Sequence, residues 1–251
     1  LCCLMLNVGH CQFLDKSDRN DIRYFSFKAI KNYENLLRLI SDNTLNYTDI
    51  QTIIRDSYSE HNISRSKIFY NNEVIIEDNF QDITESGTAS DAKVENYLRD
   101  LDLFYEKSHE PTIDFSEIRI SQVQQKEFIF TKVYFKSQFK GHHKNYDHKL
   151  SQVERVATIR ATMLDNQWKP YIMGISFFDS ETDSELLDLS LYENEQREEN
   201  NLDLVNEDKN VLNEILELAN EALRSGDYFA SLEFFQQALA LDPFNVDIIK
   251  N

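Results

Sequence analysis

The sequence predicts an α+β domain, with three helices packed on a curled antiparallel sheet, followed by an acidic linker and an all-α helical hairpin. Three observations favour this architecture. Apolar residues recur with the period of a helix before Pro111 and with the period of a strand after it. The formal charge falls from net −3 in residues 1–178 to net −15 in residues 179–251, which indicates a boundary near Asp179. The helical period then returns in residues 212–245.

The N-terminal segment, Leu1 to Cys11, is uncharged and mostly apolar. It has the length of the hydrophobic region of a signal peptide and is too short to span a bilayer. Gly9 and Cys11 are small residues at the −3 and −1 positions of a cleavage before Gln12. We interpret residues 1–11 as a signal-peptide remnant, with a buried strand or helix as the alternative. All three cysteines lie there, so the mature chain would lack disulfides, which favours export to a bacterial periplasm or cell envelope.

Three helices are predicted in the first domain, which we assign to residues 12–179. From Ile22 to Ile40 the apolar residues follow one helical face. Thr48 is the predicted N-cap of a second, shorter helix, because a threonine side chain can accept a hydrogen bond from the first turn. Ser90 or Asp91 is the predicted N-cap of a third helix, which ends before Pro111.

Extended segments surround and follow the third helix. The runs 67–70 and 73–77 flank Asn71 and Asn72, which tolerate positive φ, so these runs are predicted to form a hairpin. Four longer strands follow, at residues 113–120 with a bend near Ser116, 127–139, 156–164 and 168–178. Asp165 and Asn166 supply a tight turn before the last strand. Sequential strands joined by short turns predict an antiparallel meander.

This order of helices, hairpin and curled sheet resembles the nuclear transport factor 2-like superfamily over roughly residues 22–179. The segments from Lys67 to Asp78 and from Trp168 to Phe178 carry the likeness. The resemblance implies a cone-shaped domain whose sheet wraps around a cavity. Some members use that cavity for catalysis, and many use the domain only to bind a small ligand or to dimerise. The sheet is accordingly a candidate surface for a homodimer.

The most specific motif lies between Leu212 and Asn245 and spans 34 residues. It resembles one tetratricopeptide repeat, whose period is the same. The signature residues are Leu218, Ala219, Ala222, Gly226, Tyr228, Phe235, Ala238 and Pro243. Ile215 departs from the typical Trp and Ser231 from the typical Ala. The resemblance implies a surface for a protein or peptide partner, and we expect residues 210–251 to begin a longer array, since one repeat cannot bury its apolar faces alone.

Residues 180–209 are interpreted as a solvated acidic linker, helical in part around residues 184–192, with a dedicated acidic binding tail as the alternative. Residues 12–179 are therefore expected to fold without the rest of the chain. Residues 126–160 are basic, with 8 cationic and 3 acidic side chains. They predict either a solvated outer sheet face or a basic face for an anionic ligand or for the acidic linker.

Composition and motifs argue against several functions. The net charge of −18 disfavours nucleic acid as a partner, because phosphate contacts need a positive surface. Glycine-rich nucleotide-binding motifs and the serine-hydrolase motif do not occur in the sequence, and after the first segment no apolar stretch is long enough to span a membrane. No cofactor is expected.

The sequence gives only weak support for catalytic or metal-binding residues. His142, His143, Asp147 and His148 lie close in sequence and could hold a metal, but the neighbouring lysines favour an exposed loop and no metal. The family resemblance implies a carboxylate with a Tyr or His in the cavity, for which the candidates are Asp114, Tyr134 and Tyr171. We favour the interpretation that these tyrosines are structural, so no catalytic residue is assigned. The chain is accordingly expected to be an interaction module rather than an enzyme. The sequence favours an exported, non-catalytic binding or scaffold protein, with an isomerase- or dehydratase-like enzyme whose repeat docks a partner as the alternative.

Overall fold

The structure is a computed structural model that describes residues 14–59, 67–80, 91–145, 151–192, 205–225 and 228–241. The predicted signal-peptide remnant, residues 1–11, lies outside them. The helices are α1 (Lys16–Ile40), α2 (Tyr47–Tyr58), α3 (Val94–Phe104), α4 (Val205–Ser225) and α5 (Tyr228–Leu241), with one 3-10 turn at Ser184–Leu186. The strands are β1 (Ile75–Glu77), β2 (Asp91–Lys93), β3 (Ile113–Ile120), β4 (Gln124–Gln125), β5 (Ile129–Phe139), β6 (Val153–Leu164) and β7 (Gln167–Phe177). The α+β class is confirmed.

The strands form one mixed seven-stranded sheet in the order β2-β1-β7-β6-β5-β3, with β4 paired to β5. The long strands make the expected antiparallel meander. The prediction of a wholly antiparallel sheet is wrong, because β1 runs parallel to β7, with Ile75 opposite Gly174. The predicted hairpin of residues 67–70 and 73–77 is also wrong. Phe69 bridges Ile172 in parallel, so both runs lie along β7 instead of pairing with each other.

Two helix starts differ from the prediction. Asn46, two residues before Thr48, caps α2, and its side-chain oxygen accepts a hydrogen bond from the Asp49 amide at 3.0 Å. Asp91 belongs to β2, and α3 begins at Val94 without a side-chain cap. The Val94 amide instead donates to the Val74 carbonyl at 2.8 Å, so the main chain satisfies a donor that a cap would have served.

Two sheet features match the sequence. The register between β3 and β5 shifts between Ser116 and Arg119, where Glu117 has a φ of 52°, so the predicted bend near Ser116 is present. Asp165 and Asn166 have φ values of 52° and 59° between β6 and β7. Positive φ at both central residues is the geometry that Asp and Asn favour in two-residue hairpins.

Helix α1 packs across the inner face of the sheet. Ser26, which is buried, donates to the Ile22 carbonyl at 2.7 Å and accepts from Thr131 of β5 at 2.9 Å. The fully buried Glu34 carboxylate accepts from the Phe115 amide at 3.0 Å and pairs with Arg38 at 2.5 Å. A buried carboxylate is tolerated because these donors replace its water, and it fixes α1 against β3.

Candidate functional site

A group of polar side chains lies inside the main core, between the sheet and the helices. The Tyr97 hydroxyl donates to the Asn79 side-chain oxygen at 2.8 Å. Arg155, which is 2% exposed, extends from β6 and donates to the main-chain oxygens of Glu77 at 2.7 Å and Ser176 at 3.2 Å. Tyr33 joins the group through a hydrogen bond with Tyr97. These groups satisfy one another, as buried polar atoms must.

The electrostatics of this group keep both phenols neutral. Burial raises the pKa of Tyr33 to about 12, and the Arg155 charge opposes this rise only in part. Burial raises the pKa of Tyr97 well above its usual range as well. Phe80 stacks on Tyr97 with ring centroids 4.8 Å apart and so adds to the apolar surroundings. Neutral, mutually bonded phenols are suited to holding the core together.

The three family-derived candidates lie elsewhere and apart. Phe135 and Ile172, which directly follow Tyr134 and Tyr171, lie in the core between the sheet and the helices. Because side chains alternate along a strand, Tyr134 and Tyr171 point to the outer face of the sheet, opposite the helices. The Tyr134 hydroxyl donates to Glu154 at 2.8 Å, and burial raises its pKa. Asp114 is half exposed and lies 3.3 Å from Arg38. The structure therefore does not bring these three side chains into one site.

Residues 183–192, which we name the strap, cover one half of the outer sheet face. Leu186 is fully buried against Tyr134 and Val156. The Lys132 amino group lies 2.5 Å from the Asp183 carboxylate. This differs from the expectation of a solvated linker from residue 180 onward. The segment packs here because the sheet face supplies an apolar hollow for its leucines and a cation for Asp183.

The strap continues across β3 and ends on α1. Arg119 of β3 donates to the Leu187 carbonyl at 2.9 Å and to the Leu189 carbonyl. Tyr192 is 2% exposed, and its ring centroid lies 5.1 Å from that of Phe27 in α1. The strap thus passes from the outer face, over β3, to the helical side of the sheet.

The other half of the outer face carries what we name the aromatic–cationic surface, formed by Lys67, Tyr70, Phe128, Arg160 and Tyr171. The Arg160 guanidinium lies 4.8 Å from the Tyr70 ring centroid and 5.2 Å from that of Phe128. The Lys67 amino group lies 5.3 Å from the Tyr171 ring centroid. Strand register explains the grouping, because Arg160 is directly opposite both Phe130 of β5 and Tyr171 of β7.

Helices α4 and α5 form the predicted helical hairpin. Ala219 and Ala238 are fully buried and pack with Phe235, while Ala222 is half-buried. Leu218 remains 41% exposed. Gly226, Pro243 and the side chain of Tyr228 lie outside the described part of the chain.

The predicted loop that carries His142 and His143 contacts the rest of the first domain. The His143 ring lies in a stacked arrangement with Phe104, with centroids 6.0 Å apart, and accepts a hydrogen bond from the Asn145 amide at 3.1 Å. Asp147 and His148 lie outside the described residues. Among the residues that are described, no three His, Cys, Asp or Glu side chains are grouped so that they could hold a metal ion.

Comparison with known proteins finds no relative of this chain. No family model, no curated protein and no solved structure matches it. Within the described ranges, no helix combines the length and the apolar character needed to cross a membrane.

Proposed function

We propose that this chain is a non-catalytic binding or scaffold protein, in which a nuclear transport factor 2-like domain is followed by a tetratricopeptide repeat that binds a protein partner. The observation that carries the proposal is the pair Ala219 and Ala238, the small residues of the repeat pattern, which are both fully buried between α4 and α5. Small side chains at these two places allow the close helix approach that the repeat requires.

The exposed face of α4 supports an interaction role. Val211 and Leu218 are 43% and 41% exposed and are seven residues apart, so they lie on the same side of the helix. Within a repeat array such residues contact the neighbouring helices, and a partner peptide would lie beside them. The proposed partner is therefore a protein or peptide that covers apolar side chains on α4.

The alternative, an isomerase- or dehydratase-like enzyme, has less support. Such an enzyme needs a carboxylate close to a proton donor in a cavity. Asp114, Tyr134 and Tyr171 point away from the core instead, and the interior phenols Tyr33 and Tyr97 are bonded to each other. A ligand-binding or dimerising role for the first domain agrees better with these placements.

Export to a bacterial periplasm or cell envelope is part of the same proposal and rests on the composition of Leu1 to Cys11. We expect the mature N-terminus at or near Gln12. Intact-mass measurement of protein produced with its native start tests this, and a cytosolic form that retains Cys2 and Cys3 would contradict it.

Photocrosslinking in the native host tests the role of the repeat. A photoreactive phenylalanine analogue at Leu218 should form a covalent adduct with one discrete protein. The same analogue at Asn213, which is exposed but lies on a different side of α4, is the matched control and should not. Equal labelling at both positions, or none at Leu218, would contradict a partner-binding repeat.

A further inference from the structure

We propose that the aromatic–cationic surface binds an acidic peptide segment of a partner protein. This site is on the first domain and is separate from the helical repeat, so the inference goes beyond the role proposed above. The juxtaposition that carries it is Arg160 beside the rings of Tyr70 and Phe128 on the half of the outer sheet face next to the strap, where all three side chains are half-buried.

The Arg160 guanidinium is held by contacts with Tyr70 and Phe128. One terminal nitrogen donates to the Tyr70 hydroxyl at 3.1 Å, and two aromatic rings flank the group. Its Nε is buried and has no hydrogen-bond acceptor among the described residues. A guanidinium held between rings keeps a planar edge of N–H donors, which suits a carboxylate.

Cations on the two halves of the outer face differ in their partners. On the strap side, Lys132 pairs with Asp183 and Lys136 pairs with Glu117 at 2.7 Å. On the other side, no described carboxylate forms an ion pair with Arg160 or Lys126. Lys126 is exposed and lies 5.8 Å from the Phe130 ring centroid. Positive charge that forms no ion pair within the described part of the chain is available to an anionic partner.

The strap indicates which anion suits this face. It is a chain segment with acidic and leucine side chains, and it lies across the strands with Asp183 on a lysine and Leu186 in an apolar hollow. A second acidic segment lying across the aromatic–cationic surface would repeat this chemistry, with carboxylates near Arg160 and Lys126 and apolar side chains on the rings of Tyr171 and Phe128.

A protein segment is favoured over nucleic acid as the anion. The chain has a net charge of −18, which repels a long polyanion at a distance. A short acidic peptide carries fewer charges and approaches against a weaker field. Its leucine side chains also gain from the aromatic rings, an apolar contribution that phosphates lack.

Fluorescence anisotropy with the full chain tests the inference. The probe is a labelled short peptide of Asp, Glu and Leu, compared with a peptide in which Asn and Gln replace the acids and with a labelled oligothymidine. Only the acidic peptide should bind, and its Kd should rise with salt. Arg160→Gln should weaken binding about tenfold, because a charge-assisted hydrogen bond is lost.

Two further variants keep the result independent of folding. Lys126→Gln changes an exposed side chain and should weaken binding about threefold. The matched control Lys136→Gln, on the outer face of β5 but already paired with Glu117, should leave the Kd unchanged. Failure of the acidic peptide to bind, tighter binding of oligothymidine, or equal effects of Lys126→Gln and Lys136→Gln would each overturn the proposal. None of these outcomes bears on crosslinking at Leu218.

Discussion

The amino group of Lys132 lies 2.5 Å from the carboxylate of Asp183 and ties the start of the strap to β5. The Asp183 side chain is 6% exposed, so the pair is largely removed from water and interacts more strongly than a surface pair. Three residues later Leu186 enters the hollow beside Tyr134. The start of the strap is thus held by this ion pair and this apolar anchor, and each can be altered separately.

The first prediction concerns the apolar anchor. Leu186→Ala removes a fully buried side chain and should lower the free energy of unfolding by about 2–4 kcal/mol, since it loses apolar burial and leaves a cavity. Leu187→Ala is the matched control, because Leu187 is 42% exposed, and should change it by about 0.5 kcal/mol or less. Urea denaturation measures both. Equal effects of the two substitutions would argue against the packing of the strap.

The second prediction concerns a shortened chain. A chain that ends at Asp179 loses Leu186 and Tyr192, both buried against the first domain. The sequence alone predicts that residues 12–179 fold independently and melt like the longer chain. The packing of the strap leads us to expect a lower Tm than for a chain that ends after Tyr192, by roughly 5 °C or more. Thermal unfolding of the two chains tests this expectation. Identical Tm values would show that the first domain ends at Asp179, as the sequence predicts.

The third prediction concerns the helical hairpin. Ala238→Leu adds volume between α4 and α5 and should destabilise the hairpin by about 1–3 kcal/mol. Gln237→Leu introduces the same side chain at an exposed position and should have little effect. Hydrogen exchange of the α4 and α5 amides measures the hairpin separately from the sheet. Unchanged protection in Ala238→Leu would count against close helix packing there.

The fourth prediction concerns alkaline pH. Tyr33 titrates near its ordinary pKa of 10.0 when unfolded but at about 12 when folded, because it is buried. The unfolded state therefore releases the proton first, and stability that is complete below pH 10 is lost as the pH rises through 12. The loss amounts to on the order of 2 kcal/mol.

Tyr33→Phe isolates this contribution. At neutral pH the variant should be about 1 kcal/mol less stable, because the hydrogen bond to Tyr97 is lost. Above pH 10 the deficit should shrink, since the variant lacks the titrating phenol. Urea unfolding of both proteins between neutral pH and pH 12 gives the difference. A constant deficit over the whole range would show that Tyr33 is not buried as described.

The sequence predicts the long helices and strands well, because each is long enough to show the regular spacing of apolar residues that is typical of a helix or a strand. Helix α1 and strands β3, β5, β6 and β7 follow from apolar spacing, and the turn at Asp165 follows from residue type. Strand β1 falls within the predicted extended run 73–77, whereas β2, with three residues, is too short for a period of two to be recognised. Their pairing depends on β7 and on α3, which local sequence does not encode.

The two features of the outer face escaped prediction for different reasons. The leucines of the strap form a short apolar pattern, but only the hollow at Tyr134 shows that Leu186 is buried. Tyr70, Phe128 and Arg160 come from three distant segments and meet through strand register. The basic composition of residues 126–160 points to the right face of the sheet, yet it does not identify the two rings beside Arg160.

The contact between Tyr192 and Phe27 has a consequence for synthesis of the chain. Phe27 leaves the ribosome early, whereas its partner follows after all seven strands have been translated. Contacts this distant in sequence form late, because a long loop must close before they are gained. Until then the nascent chain presents apolar surface on α1 and on the uncovered sheet face, the kind of surface that chaperones recognise. Pausing of translation before Tyr192 would prolong that exposure, whereas pausing after it would let the domain close.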